Sequence, residues 1–220
     1  MRKAFTLIAV PIFRAIVTRR TLQTDIDGFR LTVSPGVFHP RFFVSSLLLS
    51  RYALTLKLEG VKVLDMGTGS GVLGVFAASR GADVTAIDIS PVAVECARDN
   101  FLKLGMGSRV KVLRSDLFAE VPEPESWSLI FWNPPFFPRD PSDLEDAAWN
   151  AGDGYRAIRR FARDAPRYLS VDGAMYLVFS SDMDIPLVLD FFSEFGFGAT
   201  RVLSRRALWE TFHIFKFTRR

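Results

Sequence analysis

Cysteine and histidine are scarce in this chain, with one cysteine and two histidines among 220 residues. The lone Cys96 excludes an intramolecular disulfide framework and a cysteine-rich zinc site, and it suits a reducing compartment. Its place in an expected helix, Val92–Leu104, reads as a buried thiol. His39 and His213 lack the neighbours of a metal or triad motif, so no metal site is expected. A bilayer-spanning apolar run is also missing. The stretch Ala4–Phe13 is interrupted by Pro11, followed by Arg14, and too short to cross a membrane, and no small-x-small cleavage site follows it. Charge of one sign is not in large excess: 28 basic against 24 acidic side chains give +4, which permits an anionic partner without requiring one. No internal repeat or low-complexity tract is present.

What is there reads as a globular chain, 49% hydrophobic and 13% aromatic, of a length that suits one domain with a short extension. Met1–Thr24 carries Arg2, Lys3, Arg14, Arg19 and Arg20 and no acidic residue. It reads as a basic amphipathic helix packed on the domain, with contact to an anionic surface or targeting as alternatives. Residues 1–33 are therefore expected to form a basic segment and hairpin, and 34–220 the main domain. The hairpin is Leu22–Val33, turning at Asp27-Gly28.

Arg41–Leu58 is expected as a helix. Apolar strand-length runs then alternate with helices. The strands are Val61–Asp65, Val84–Asp88, Val110–Arg114, Ser128–Trp132 and Ala174–Ser180. The helices are Val72–Arg80, Val92–Leu104, Gly154–Leu169 and Asp184–Phe195. Such alternation predicts a mainly parallel, doubly wound α/β sheet. Ala199–Ser204 and Thr211–Thr218, separated around Arg205-Arg206 with no crossover helix, predict an antiparallel edge pair at the C-terminus. Together they describe a Rossmann-like class I architecture.

A first candidate site lies where the opening strand meets its helix, at Asp65-Met66-Gly67-Thr68-Gly69-Ser70-Gly71. Gly67, Gly69 and Gly71 allow sharp turns and close approach of a ligand to the main chain. Asp88 ends the second strand, 21 positions after Gly67, where a carboxylate can accept both hydroxyls of a ribose. The glycines alternate rather than following the dinucleotide spacing. Asp65, ahead of them, would repel a pyrophosphate but suits the ammonium of a methionine moiety. The loop therefore reads as a site for S-adenosylmethionine, lined by Asp65, Gly67, Thr68, Gly69, Gly71, Asp88 and Ile89. After the third strand come Asp116 and Leu117. Asp116 is placed to accept from an adenine amino group, the alternative being a helix cap.

The second candidate site is more specific. Leu129–Trp132 runs straight into Asn133-Pro134-Pro135-Phe136. Successive prolines stiffen the turn and remove donors. The Asn133 side-chain oxygen and the Pro134 carbonyl can each accept one hydrogen of an –NH2 group, and Phe136 offers a face for a planar amide or base. Asn133 also borders the cofactor loop.

The chain resembles the methyltransferases that carry D-x-G-x-G-x-G followed by N-P-P-[YF], whose members methylate protein glutamines, adenine N6 or guanine N2. Ala148–Gly154, Leu203–Arg206 and Glu210–Phe217 are most similar to the HemK-type N5-glutamine methyltransferases of translation release factors. The resemblance implies S-adenosylmethionine as donor, S-adenosylhomocysteine as product, a release-factor-like protein as substrate, an activating subunit, and a cytoplasmic setting. Phe136 stands where HemK-type enzymes usually carry tyrosine and is equally at home in ribosomal-RNA enzymes. With the arginines at 156, 159, 160, 163, 167, 201, 205 and 206, it keeps open N-methylation of RNA or DNA. A small amine or amide acceptor is a further alternative.

Overall fold

The computed structural model describes residues 20–41, 44–123, 125–207 and 209–220. The expected N-terminal amphipathic helix lies mostly outside the described residues. Strands β3 (Lys62–Met66), β4 (Asp83–Asp88), β5 (Val110–Arg114), β6 (Trp127–Trp132) and β7 (Leu169–Ser180) pair in parallel. Strand β9 (Glu210–Arg219) runs antiparallel to both β7 and β8 (Phe197–Ala207). The seven-stranded order is β5-β4-β3-β6-β7-β9-β8. The chain switches direction between β3 and β6, so their loops diverge and leave a crevice at the strands' carboxyl ends.

Alternation along each strand sorts the core into two layers. Leu64, Met66, Ile130, Trp132, Met175 and Leu177 face helices α4 (Arg156–Tyr168) and α5 (Ile185–Glu194). Val63, Phe131, Ala174, Tyr176 and Ile214 face α1 (Val44–Ala53) and α2 (Val72–Ser79). This is the Rossmann-like class I arrangement, a parallel sheet closed by an antiparallel pair.

The hairpin of β1 (Leu22–Ile26) and β2 (Phe29–Val33) turns through Asp27 and Gly28, both with positive φ, the geometry that matches strand twist. It packs on the same core. Ile26 and Leu31 join the cluster of Val75, Phe76 and Phe101. Asn100, on α3 (Pro91–Lys103), accepts from Thr32 N and donates to Thr32 O, both at 2.8 Å. The buried Cys96 thiol donates to the same carbonyl, and burial raises its pKa.

Three expected elements end differently. The first helix runs Val44–Ala53 rather than Arg41–Leu58, because Thr55 turns back and gives both its N–H and its hydroxyl to the Tyr52 carbonyl. Strand β7 begins at Leu169, paired with Trp127 ahead of an irregularity in register. Arg205 and Arg206 do not form the turn. They lie in β8 opposite Phe212 and Thr211, because an edge strand lets charged side chains reach water.

Candidate active site

The β3–α2 loop follows Met66 with left-handed backbone at Gly67 and Gly69, leaving both free to line the cleft. Gly71 has a different task. A Cβ there would stand 2.9 Å from the Phe101 ring, so its absence lets α2 seat against α3. The Thr68 N–H donates to the Ile87 carbonyl at 2.9 Å, tying the loop to β4.

Asp65 is buried behind this loop. Its Oδ2 accepts from the Thr68 hydroxyl at 2.6 Å and from Gly74 N at 3.2 Å. Burial pushes its pKa up to about 7, against the opposing effect of the Thr68 bond. The structure therefore gives Asp65 the work of holding the loop, and it is not among the residues that line the cleft. Asp88 does line it. One carboxylate oxygen accepts from Gly69 N and the other from Ser90 N, both at 2.9 Å. Burial raises its pKa as well. Each oxygen keeps a lone pair for a further donor, which suits two vicinal hydroxyls.

Ile89 and Leu117 line the neighbouring wall. Leu117 sits at φ +57°, and its carbonyl accepts from the Ser115 hydroxyl at 2.7 Å. Asp116 caps no helix among the described residues. Its carboxylate pairs with Arg160 of α4 at 2.9 Å, and both line the cleft. The spacing of the motifs gave no sign of that pair.

Across the cleft, β6 delivers Asn133. Its Nδ2 donates to the Ser46 hydroxyl of α1 at 2.9 Å, while its Oδ1 is buried and finds no partner among the described residues. Pro135 lines the cleft beside it. Pro134 is buried, and the half-buried Phe136 ring lies 6.1 Å from that of Phe212, packed between the two core layers. Neither belongs to the wall of this cleft, so the stacking face expected of Phe136 is turned largely into the fold.

The chain after the motif is clamped. Phe137 N donates to Trp149 O, and Ala151 N to Phe137 O, at 2.9 and 2.8 Å. This places Asn150, Ala151 and Gly152 on the cleft wall. Phe38 meets Trp149 with ring centroids 5.0 Å apart, joining the 36–40 loop to this segment across the mouth. Ser46, Trp132, Asn150 and Arg160 were not among the expected site residues. Ser46 and Arg160 bond to Asn133 and Asp116, 87 and 44 positions away, which no local motif records.

The resulting cleft, of about 320 Å³, has the Asp88 carboxylate, a glycine turn and, across from them, an amide oxygen unsatisfied among the described residues. The lining fits S-adenosylmethionine: Asp88 has a lone pair free on each oxygen for two vicinal hydroxyls, and Ile89 and Leu117 offer an apolar surface that suits a base.

The family signature of the methyltransferase small domain matches residues 28–212. A release factor glutamine methyltransferase of Streptococcus pneumoniae is 34% identical over 168 residues, 70% of this chain and 58% of that protein. A ribosomal protein uL3 glutamine methyltransferase of Bradyrhizobium diazoefficiens is 33% identical over 167 residues, 67% of this chain and 52% of the relative. The chain thus spans a little over half the length of these curated relatives. Among solved structures, that of the E. cuniculi Mtq2–Trm112 complex, responsible for methylating the eRF1 translation termination factor, superposes with TM-score 0.65 and 25% identity. It covers 84% of this chain and 99% of that one. With the match running from the hairpin turn to the last strand, and the glycine loop and Asn-Pro-Pro-Phe turn flanking one cleft, this chain belongs to the methyltransferase small domain family.

Proposed function

We propose that this protein transfers a methyl group from S-adenosylmethionine to the side-chain amide nitrogen of a glutamine in a translation release factor or related protein. The observation that carries this reading is Asn133 Oδ1, a buried amide oxygen without a partner among the described residues, in a stiff Asn-Pro-Pro turn beside the cofactor loop. An unsatisfied buried acceptor costs free energy, and a substrate N–H removes that cost. The names of the sequence relatives and of the E. cuniculi complex support a glutamine of the translation machinery and a partner subunit, and are compatible with a cytoplasmic setting.

The bound cofactor supplies an electrophilic methyl group on a sulfonium and leaves as S-adenosylhomocysteine. Asp88 accepts the ribose hydroxyls, and Gly67 and Gly69 let the main chain approach without a side chain in the way. Asp65 and Thr68 keep that loop in register. Asn133 Oδ1 accepts one hydrogen of the substrate –NH2. This orients the nitrogen lone pair along the line of transfer and favours the positive charge that develops there. With the cofactor bound, the N–C bond would form as the S–C bond breaks, the S–C electron pair would stay on sulfur, and the amide proton would pass to water. No general base is needed.

One observation favours an RNA acceptor: Arg201, Arg205 and Arg206 are exposed on β8 and make no ion pair among the described residues. Of the arginines of α4, Arg156, Arg159, Arg160 and Arg163 pair with Asp140, Glu194, Asp116 and Asp164, while the exposed Arg167 makes no ion pair among the described residues. The deciding experiment uses labelled S-adenosylmethionine and a release factor, wild type or with its acceptor glutamine replaced. Label should be protease-sensitive, lost with the glutamine, and weakly salt-dependent between about 50 and 200 mM. RNase-sensitive label with a steep salt slope would overturn the protein acceptor.

A further inference from the structure

Two buried side-chain oxygens on this cleft lack partners among the described residues, and the proposed chemistry uses one of them. The other is Asn150 Oδ1. Asn150 is only 6% exposed. Its Nδ2 donates to the Asp146 carbonyl at 3.3 Å, a group that can only accept, so the oxygen occupies the opposite end of the amide. The residue cannot swing away to find water. Its own N–H also donates to Asp146 O, and the next residue, Ala151, is bonded to Phe137 and accepts from Ala157 N at 2.7 Å.

Its neighbours on the wall, Ala151, Gly152 and Ala157, offer no side-chain donor, and the nearby cations Arg156 and Arg160 are engaged by Asp140 and Asp116. Among the described residues none gives Asn150 Oδ1 a donor, and a ligand in the cleft can supply one. The bond from Ala157 to Ala151 joins Asn150's segment to α4, and one turn further along α4 Arg160 reaches Asp116, beside the Ile89 and Leu117 wall. An adenine amino group there carries two hydrogens and needs two acceptors. Asp116 can take one. We propose that Asn150 Oδ1 accepts the other, making Asn150 a base-recognising residue for the methyl donor. The inference rests on the cofactor assignment made above.

The test compares binding of S-adenosylhomocysteine with that of S-inosylhomocysteine, in which an oxo group replaces the amino group. Calorimetry on the full chain should show Asn150→Leu weakening the adenosyl compound about ten-fold, roughly the value of one buried hydrogen bond. Affinity for the inosyl compound should not fall. The ligand-free Tm should hold or rise, since an apolar side chain replaces an orphaned oxygen; a merely structural asparagine would lower it. Should the leucine variant fail to fold, Asn150→Ser carries the same comparison. Equal losses for both compounds, no loss for either, or an effect confined to the KM of the methyl acceptor would overturn the inference. Failure of the wild type to bind S-adenosylhomocysteine would instead overturn the cofactor assignment itself.

Discussion

The two walls of the cleft treat their polar groups in opposite ways. Behind the glycine-loop wall, Asp65 is bonded to Thr68 and Gly74, and on it Asp88 is bonded to Gly69 and Ser90. On the facing wall, Asn133 and Asn150 each tie down the amino end of the amide and leave the oxygen buried and unmatched. The first wall is finished by folding and waits for a ligand that adds to it. The second is left with a deficit that a ligand removes, which is where binding can discriminate most sharply.

Substitutions should separate the two walls. The largest effect is expected on the open wall. Asn133→Ala should lower turnover by roughly 10²-fold while leaving S-adenosylhomocysteine affinity nearly unchanged, as single-turnover assays and calorimetry would record. Parallel losses in both would mean that the two walls are one functional unit. Next comes Asp88→Ala, expected to weaken the cofactor by about 1.5–3 kcal/mol through lost charge-assisted bonds to the ribose. Unchanged affinity in a folded variant would remove Asp88 from the ribose.

A smaller effect, on stability, probes the finished wall. Burial holds the folded Asp65 pKa at about 7, above an unfolded value of roughly 3.9. A raised carboxyl favours the fold while protonated. Its contribution is complete below about pH 4 and is lost as pH rises toward 7. Asp65→Asn keeps an oxygen for Thr68 and Gly74, so melting curves between about pH 5 and pH 7.5 should be flatter than wild type. Parallel curves would show that Asp65 ionises freely. Least of all should be Phe136→Tyr. The ring packs against Phe212 at the margin of the cleft, and steady-state kinetics should stay within about three-fold, well under 1 kcal/mol.

Much of the frame was legible because strand and helix periods are local. Val110–Arg114 falls where its apolar run puts it, and the Asp27-Gly28 turn fits its hairpin. The errors share a cause. Arg205 and Arg206 look like a break in a strand only if both faces must be dry, and β8 is an edge. The first helix stops at Ala53 because of the hydrogen bonds Thr55 makes, which no apolar period reports.

The sequence by itself determined that a glycine turn would end β3, that a carboxylate would end β4 and that an Asn-Pro-Pro-Phe turn would follow β6. Those are properties of short segments whose backbone preferences are carried by glycine and proline. Tertiary structure alone decided what each side chain then meets. It put Asp65 behind the loop, paired Asp116 with Arg160 from 44 residues away, reached Asn133 with Ser46 from 87 away, and turned Phe136 toward Phe212. Hydrogen bonds and packing contacts depend on distance in space, and only the fold sets that distance for residues far apart in the chain.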